Sequence, residues 1–214
     1  MFITFEGSEG TGKSTQIAHL AKDLQLAGYP VLLTREPGGT PIGVQIRRVL
    51  SDLQNTDMQK RTEILLFQAS RSQLVDQVIR PHLESGGIVL SDRYADSTLA
   101  YQGYGYQMEL TQIRSIVNFA TGGLKPNLTL LFDMDVEEGL RRRATGGEWN
   151  RLDAMELAFY QRVRRGYLEL ADLEPDRWVR IDASPPPEAV AEEVRRIVLN
   201  RFQANHQITA TSPD

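Results

Sequence analysis

The sequence predicts an α/β fold in which one five-stranded parallel sheet carries helices on both of its faces. Five short β-rich runs recur along the chain, and each one precedes a longer segment with helical periodicity. The runs are Phe2–Phe5, Val31–Thr34, Ile88–Ser91, Leu128–Phe132 and Trp178–Ile181. Parallel strands need crossover helices to join them, and those helices cover both faces of the sheet.

The clearest helices are bounded by residues that begin or end helices. They are predicted at Ser14–Ala27, Arg61–Ser85, Asp153–Ala171 and Pro187–Arg201. Gly28 ends the first and Gly86 the second, because glycine adopts the left-handed conformation that closes many helices. Proline at the first helical position opens the last one.

The carboxyl ends of the strands predict where ligands bind. In open α/β sheets, ligands bind in the crevice beyond these ends. The segments that leave the strands bring Gly7, Arg35, Asp92 and Asp133 to that edge. We therefore expect these residues to share one cleft.

Composition limits the classes of protein that this chain can represent. With 214 residues and 41% hydrophobic side chains, it can bury one sizeable core, so we expect a single domain over 1–203 and a disordered polar tail over 204–214. A net charge of -4 argues against an extended surface for nucleic acid. No apolar run approaches the roughly 20 residues that cross a bilayer. Together with the absence of cysteine, this predicts a cytoplasmic protein with neither a nucleic-acid nor a membrane partner.

A glycine-rich loop behind the first strand predicts a nucleoside triphosphate site. The loop consists of Gly7, Ser8, Glu9, Gly10, Thr11, Gly12, Lys13, Ser14 and Thr15. Its glycines allow successive backbone N–H groups to point at one anion, and the next helix adds its dipole. Lys13 then reaches the β- and γ-phosphates, while the Ser14 hydroxyl holds Mg²⁺.

Such a loop occurs in regulatory GTPases, motor ATPases and small-molecule kinases, so by itself it does not decide between these classes of protein. The GTPase set is missing, since the chain has no Asn-Lys-x-Asp run and no Asp followed three residues later by Gly. A stiff segment after the second strand, Thr34–Thr40, instead suits a second anionic substrate. Its proline and paired glycines favour a tight turn that positions Arg35, with Arg47 about two helical turns further on. An ordinary surface turn with a solvated arginine is the alternative.

Ser91–Tyr94, at the end of the third strand, is the other segment that suits this substrate. Asp92 is placed to hold Mg²⁺ directly or through water, and Arg93 to bind a phosphate oxygen. A short Asp-Arg-Tyr run also occurs by chance. It therefore supports a phosphate site only in combination with the other motifs.

Together these motifs resemble the thymidylate kinase family, which transfers the γ-phosphoryl group of ATP to dTMP on the route to dTTP. The matching segments are Phe5–Thr15, Thr34–Thr40, Phe67–Arg71, Asp92–Tyr94 and Ser97–Gly103. Similarity extends from Phe2 to about Phe202. The resemblance implies a P-loop nucleoside monophosphate kinase fold with a short lid, a homodimer, and ATP with Mg²⁺ as co-substrate and cofactor.

The resemblance also implies a pocket for the acceptor base. Phe67 offers a ring for stacking, and Arg71, one helical turn later, donates to a base carbonyl. Thr98 and Gln102 complete the polar edge of the base, and Tyr101 closes near the sugar. Core packing for Phe67 and a helix cap for Thr98 are the alternatives.

The acceptor phosphate is expected to meet Arg93 and Arg47, with Arg35 as a weaker candidate. Ser97, at the start of the matching run, belongs to the same substrate set. Fixed cations are needed because two anionic nucleotides must approach one another. A general base is dispensable, since the acceptor phosphate is already anionic.

Glu9 is unusual because a carboxylate inside a phosphate loop repels the triphosphate. The resemblance implies that it faces the deoxyribose or the acceptor, and that the catalytic arginine then comes from a mobile lid at about 141–152. Arg151 matches such a lid arginine, and Arg143 is a second candidate that contacts ATP. A solvated helix face over 141–143, or stacking on adenine, remains open.

Two rival functions stay open on the sequence. Another nucleoside monophosphate or deoxynucleoside kinase shares the scaffold and differs only in its base pocket. A nucleotide-gated binding protein without turnover is more remote, because a switch needs no second phosphate site.

Overall fold

The computed structural model describes residues 1–146, 151 and 155–210, with 204–210 described by their backbone alone. Its strands are β1 (Phe2–Glu6), β2 (Val31–Arg35), β3 (Ile88–Asp92), β4 (Leu128–Asp133) and β5 (Trp178–Asp182). They form one sheet in the order β2-β3-β1-β4-β5, and every neighbouring pair is parallel. The predicted fold class is therefore confirmed.

Each strand runs one residue beyond its predicted end, and that extra residue is charged in all five. The predicted ends stop at the last apolar or small residue, because charged residues are rare in strand interiors. The parallel ladder nevertheless continues through the charged position, as the pairing of Phe5 with Asp92 shows. Charged side chains are thereby fixed along the carboxyl edge of the sheet.

Helices connect the strands and cover both faces. They are α1 (Lys13–Leu26), α2 (Pro41–Ser51), α3 (Lys60–Leu74), α4 (Arg80–Glu84), α5 (Ala95–Thr98), α6 (Leu110–Thr121), α7 (Val136–Ala144), α8 (Leu157–Leu173) and α9 (Pro187–Ala210). Within the described residues, two π-helical segments interrupt this pattern, Val75–Ile79 between α3 and α4, and Leu99–Gly105 after α5.

Two predicted helices differ from the observed ones in an informative way. The helix predicted over Arg61–Ser85 is α3, a π-helical segment and α4 in succession. The last helix was predicted to end at Arg201, but α9 continues to Ala210. Its backbone is helical over 204–210, where the sequence predicts a disordered tail, while 211–214 lie outside the described residues.

The core lies on both sides of the sheet. On one face α1 and α9 pack against the central strands, with Leu20 and Val194 among the buried contacts. On the other face α8 packs against the Leu99–Gly105 segment, with Phe159 and Tyr167 buried. The helix α8 thereby supports the π-helical segment, whose Tyr101 and Gln102 lie at the carboxyl edge of the sheet. Among the described helices, none has the length and apolar character needed to cross a bilayer.

Candidate active site

A cleft of about 380 Å³ lies at the carboxyl edge of the sheet. Most of the predicted site residues line it: Glu9, Gly10, Thr11, Gly12, Lys13, Ser14, Thr15, Arg35, Arg47, Phe67, Arg71, Asp92, Arg93, Ser97, Thr98, Tyr101, Gln102 and Arg143. The phosphate loop and the predicted acceptor residues thus face one another across a single cavity.

Two glycines of the phosphate loop are required by close backbone contacts. A Cβ atom at Gly10 would lie 1.8 Å from the carbonyl oxygen of Gly139 on α7, and one at Gly7 would lie 2.3 Å from that of Phe132. Both glycines also have positive φ, +71° and +139° respectively. Any side chain at either position would push the loop off the sheet and α7.

Lys13 lies inside the loop that it is predicted to serve. Its Nζ atom donates to the carbonyl oxygens of Gly7 (3.0 Å) and Ser8 (2.6 Å) and to Thr11 Oγ1 (3.2 Å). Burial, with the charge of Arg93, lowers the pKa of Lys13 to about 8. The ammonium group is therefore held at the loop by protein oxygens that phosphate oxygens can replace.

Ser14 and Asp92 form the predicted Mg²⁺ pair. The Ser14 hydroxyl donates to Asp92 Oδ2 at 2.7 Å, which joins the start of α1 to the end of β3. A hydroxyl and a carboxylate are hard oxygen donors of the kind that Mg²⁺ takes alongside phosphates and water. This donor set fits the ion.

Glu9 and Arg93 join the phosphate loop to the acceptor side. Arg93 Nη2 donates to Glu9 Oε1 at 2.8 Å, and the Tyr101 hydroxyl donates to the same oxygen at 2.9 Å. Burial raises the pKa of Glu9, but the charges of Arg93 and Lys13 outweigh it, so that the net shift is downward. Glu9 is thus an ionised carboxylate placed between two cations.

Arg93 has a backbone conformation that few non-glycine residues adopt. Its φ is +69°, and its Nη1 atom donates to Gly7 O (3.0 Å), Ser97 Oγ (3.3 Å) and Tyr167 Oη (3.2 Å). Such a conformation costs energy and persists where surrounding contacts fix it. The contacts aim the guanidinium at the phosphate loop.

A buried carboxylate, Glu6, supports this arrangement from behind. It accepts hydrogen bonds from the Tyr94 backbone N–H (2.8 Å), the Ser97 hydroxyl (2.6 Å) and the Tyr167 hydroxyl (2.9 Å). Burial, with the nearby Asp96 carboxylate, raises the pKa of Glu6 to about 7. Glu6 therefore orients two of the side chains that contact Arg93.

Arg71 is almost fully buried on the acceptor side, with 1% of its side chain exposed. Its Nε donates to Glu36 Oε2 (2.8 Å), Nη1 to Gln68 Oε1 (2.7 Å) and Thr98 Oγ1 (3.0 Å), and Nη2 to Tyr94 O (2.9 Å). Because these bonds use protein acceptors, a base carbonyl must share the guanidinium or replace one of them. Glu36 Oε1 has no partner among the described residues.

Phe67 lines the cleft and is half-buried. It belongs to none of the core clusters of the described residues. Its ring also stacks on no other ring in the part of the chain that the structure describes. This placement favours a role in the pocket over the alternative of core packing.

The comparisons with known proteins agree with this geometry. A family model described as thymidylate kinase matches residues 5–194. The chain belongs to the thymidylate kinase family. A thymidylate kinase of Roseiflexus castenholzii is 53% identical over 211 residues, covering 92% of each chain. One of Deinococcus radiodurans is 48% identical over 201 residues, covering 94% of this chain and 97% of its own.

Solved structures place the chain in the same family. The crystal structure of thymidylate kinase from Ehrlichia chaffeensis matches with a TM-score of 0.76 and 33% identity. The match covers 93% of this chain and 98% of that one. Family membership makes the chain a nucleoside monophosphate kinase, as the sequence predicts, with the P-loop fold of that class.

The two predicted lid arginines differ in their position relative to the cleft. Arg143 lines the cleft, and its Nη1 donates to Gly146 O at 2.6 Å. Arg151 does not line it: its Nε donates to Leu50 O at 3.2 Å, and its Nη2 pairs with Glu63. The remaining lid positions, 147–150 and 152, lie outside the described residues.

Of the four residues expected to share the cleft, Arg35 and Asp92 line it, whereas Gly7 and Asp133 do not. The expectation that all four share the cleft is therefore wrong. The carboxylate of Asp133 is paired with Arg164, at 2.7 Å from Nε, and with Arg180. Two cations, Arg164 from α8 and Arg180 from β5, neutralise this carboxylate.

Sequence reasoning missed three carboxylates that organise the site, namely Glu6, Glu36 and Glu63. None of them follows a recognisable motif spacing to its partner, because the partners lie 35 residues away for Glu36 and 39 residues away for Glu63. The one available signal is that Glu6 directly follows an apolar run and Glu63 directly precedes one, whereas Glu36 lies between Arg35 and Pro37 and has no such neighbour.

Proposed function

We propose that this chain transfers the γ-phosphoryl group of ATP to dTMP, giving dTDP and ADP. The observation that supports it most is the single cleft in which Arg93, from the acceptor side, is bonded to Glu9 of the phosphate loop. A triphosphate on the loop and a monophosphate on the arginines would meet at this junction. The same junction has no use in a protein that binds one nucleotide only.

The residues of the cleft would act mainly by position and charge. Lys13 exchanges its loop carbonyls for phosphate oxygens, and Arg93, Arg47 and Arg35 offset the repulsion between the two nucleotides. Arg47 is already aimed by a bond from its Nη1 to Pro37 O at 2.9 Å. When bound by Ser14 and Asp92, Mg²⁺ would neutralise charge on the phosphate oxygens of ATP.

The base pocket supports a pyrimidine with a carbonyl at position 4. Phe67 supplies a stacking face, while Arg71 and the Thr98 hydroxyl supply donors. The ionised Glu9 and the Tyr101 hydroxyl, which are hydrogen-bonded to one another beside Arg93, would face the sugar. Donors at the base edge favour thymine or uracil over cytosine, whose position 4 carries an amino group.

The direct test supplies ATP, Mg²⁺ and a panel of deoxynucleoside monophosphates to the purified protein and follows ADP release. We expect dTMP to give the highest kcat/KM. Equal rates for all acceptors would remove the claim of specificity for dTMP, and no release with any acceptor would remove the kinase assignment. The Lys13→Ala variant serves as the blank for contaminating activity.

We also propose a homodimer, which the family resemblance implies. Two large apolar side chains support it, since Phe119 on α6 is 87% exposed and Leu65 on α3 is 58% exposed, and these helices pack on one another. Light scattering after size exclusion should give twice the chain mass for the wild type, and Phe119→Glu should shift it toward the monomer. A wild-type monomer at micromolar concentration would contradict the proposal.

The cytoplasmic location stays a prediction.

A further inference from the structure

Glu63 is a buried carboxylate that stands behind the base pocket without lining it. It lies in the first turn of α3, and its side chain is 1% exposed. Its Oε1 accepts from Gln102 Nε2 at 2.8 Å, and its Oε2 accepts from the Tyr106 hydroxyl at 3.1 Å and from Arg151. A single carboxylate thus joins α3, the π-helical segment and Arg151.

This carboxylate fixes which end of the Gln102 amide faces the cleft. Both oxygens of Glu63 already accept hydrogen bonds, Oε1 from Gln102 and Oε2 from Tyr106 and Arg151, so the carboxylate offers Gln102 only an acceptor. Gln102 must therefore turn its NH₂ group toward Glu63, which leaves its carbonyl Oε1 on the other side. Gln102 lines the cleft, and its Oε1 accepts no hydrogen bond from the described residues.

Thr98, the neighbouring polar residue, is fixed in the opposite sense. Its Oγ1 accepts from Arg71 Nη1 at 3.0 Å and from Gln68 Nε2 at 3.2 Å. A hydroxyl oxygen has two lone pairs, so these two donors leave Thr98 only its proton to offer. The pocket edge therefore presents one acceptor, from Gln102, and one donor, from Thr98.

We propose that Glu63, held by Arg151, is a positioning residue that sets this order of donor and acceptor and so selects 4-oxo over 4-amino pyrimidine monophosphates. Thymine presents an N3–H donor and an O4 acceptor, which match. Cytosine presents an N3 acceptor and an N4 amino donor, which meet like groups in the pocket. The proposal rests on the proposed function, because it requires a pyrimidine monophosphate in this cleft.

The test compares dTMP with 5-methyl-dCMP, which carries the same methyl group and differs from dTMP at positions 3 and 4. In Glu63→Gln, the new amide can donate as well as accept, so Gln102 is free to reverse. We expect the ratio of the two kcat/KM values, dTMP over 5-methyl-dCMP, to fall by about 10- to 100-fold. Both acceptors should contribute to this fall, because kcat/KM should decrease for dTMP and increase for 5-methyl-dCMP.

Tyr106→Phe is the matched control. It removes one donor from the same carboxylate but leaves Glu63 unable to donate, so its ratio should stay within about twofold of the wild type. Thermal unfolding reports whether each variant is folded. If Glu63→Gln is not, Arg151→Met is the second variant, and it should also lower the ratio because Glu63 Oε2 loses the guanidinium donor that holds the carboxylate against Gln102.

A folded Glu63→Gln or Arg151→Met variant that keeps the wild-type ratio would overturn the proposal. So would equal losses for both acceptors, because these indicate a structural role alone. The failure of the proposed function has a different signature: the wild-type protein would then show no preference for dTMP over the other monophosphates in the first place.

Discussion

The phosphate loop and the base pocket are two halves of one cleft that are built in opposite ways. In the loop, the bonds of Lys13 to Gly7, Ser8 and Thr11 span six, five and two residues. In the base pocket, the bonds that Arg71 donates to Glu36 and that Gln102 donates to Glu63 span 35 and 39 residues. The loop is a local structure that a short motif specifies, whereas the pocket exists only once the chain has folded.

This difference predicts how substitutions should divide. Changes in the loop remove an interaction with the transferred phosphoryl group, so they should reduce turnover with every acceptor alike. Changes in the pocket should alter the binding or the choice of the acceptor. The following substitutions test that division in order of expected effect.

Lys13→Ala should have the largest effect. Loss of the ammonium that meets the β- and γ-phosphates should lower kcat/KM by about 10³-fold or more, whichever acceptor is used. Steady-state kinetics with dTMP and with dUMP would show equal factors for the two. Lys22→Ala, an exposed lysine on the same helix, is the control and should leave kcat/KM unchanged. A decrease of kcat/KM for only one of the two acceptors would contradict the expected difference between the loop and the base pocket.

Arg47→Ala tests the acceptor phosphate. A charge-assisted hydrogen bond to phosphate is worth about 1.5–3 kcal/mol, so KM for dTMP should rise by about 10- to 100-fold while KM for ATP changes little. Arg48→Ala removes the adjacent exposed arginine, which does not line the cleft. Equal effects of the two substitutions would show that only net charge matters at this helix.

Phe67→Ala tests the stacking face. Stacking of a base on an aromatic ring is worth about 1–3 kcal/mol, so KM for dTMP should rise by about 5- to 150-fold. Phe67→Tyr keeps the ring and should restore most of the affinity. If Phe67 were instead a core residue, the alanine variant would lower the unfolding midpoint and leave KM for dTMP in place.

Glu6→Gln should have the smallest effect on activity and a distinct effect on stability. Burial raises the pKa of Glu6 from 4.5 to about 7, so the folded protein holds this proton more tightly than the unfolded chain does. The resulting stabilisation is complete below pH 4.5 and is lost as the pH rises through about 7. In urea unfolding across this pH range, the free energy of unfolding should fall with pH in the wild type and depend less on pH in Glu6→Gln. Glu188→Gln, at an exposed position on α9, should keep the wild-type slope.

Much of the fold was predictable because hydrophobic periodicity reports local structure directly. The five strands, their parallel arrangement and the phosphate loop follow from runs of apolar residues and from glycine positions. The ends of the strands were missed by one residue, since a charged residue such as Asp92 gives no sign that it remains in the ladder. Asp133 was misplaced because its pairing with Arg164 and Arg180 depends on how α8 and β5 pack.

The site was predictable where side chains belong to a motif and less so elsewhere. Phe67 and Arg71 lie one turn apart on a regular helix, as their spacing indicates. Thr98 and Gln102 share the same spacing, yet the chain between them passes from α5 into a π-helical segment, which periodicity does not reveal. The carboxylates that orient the site, Glu6 and Glu63, lie beside apolar runs, but no motif links them to their partners, which are distant in the sequence.

The central claim is that donor and acceptor nucleotides meet in this one cleft and exchange a phosphoryl group directly. The most direct measurement supplies ATP labelled at the γ-phosphate together with dTMP and Mg²⁺, and follows the label. We predict that it appears in the β-phosphate of dTDP, in proportion to the ADP released, and that Lys13→Ala abolishes the transfer. Label appearing as inorganic phosphate, with dTMP unchanged, would contradict the account.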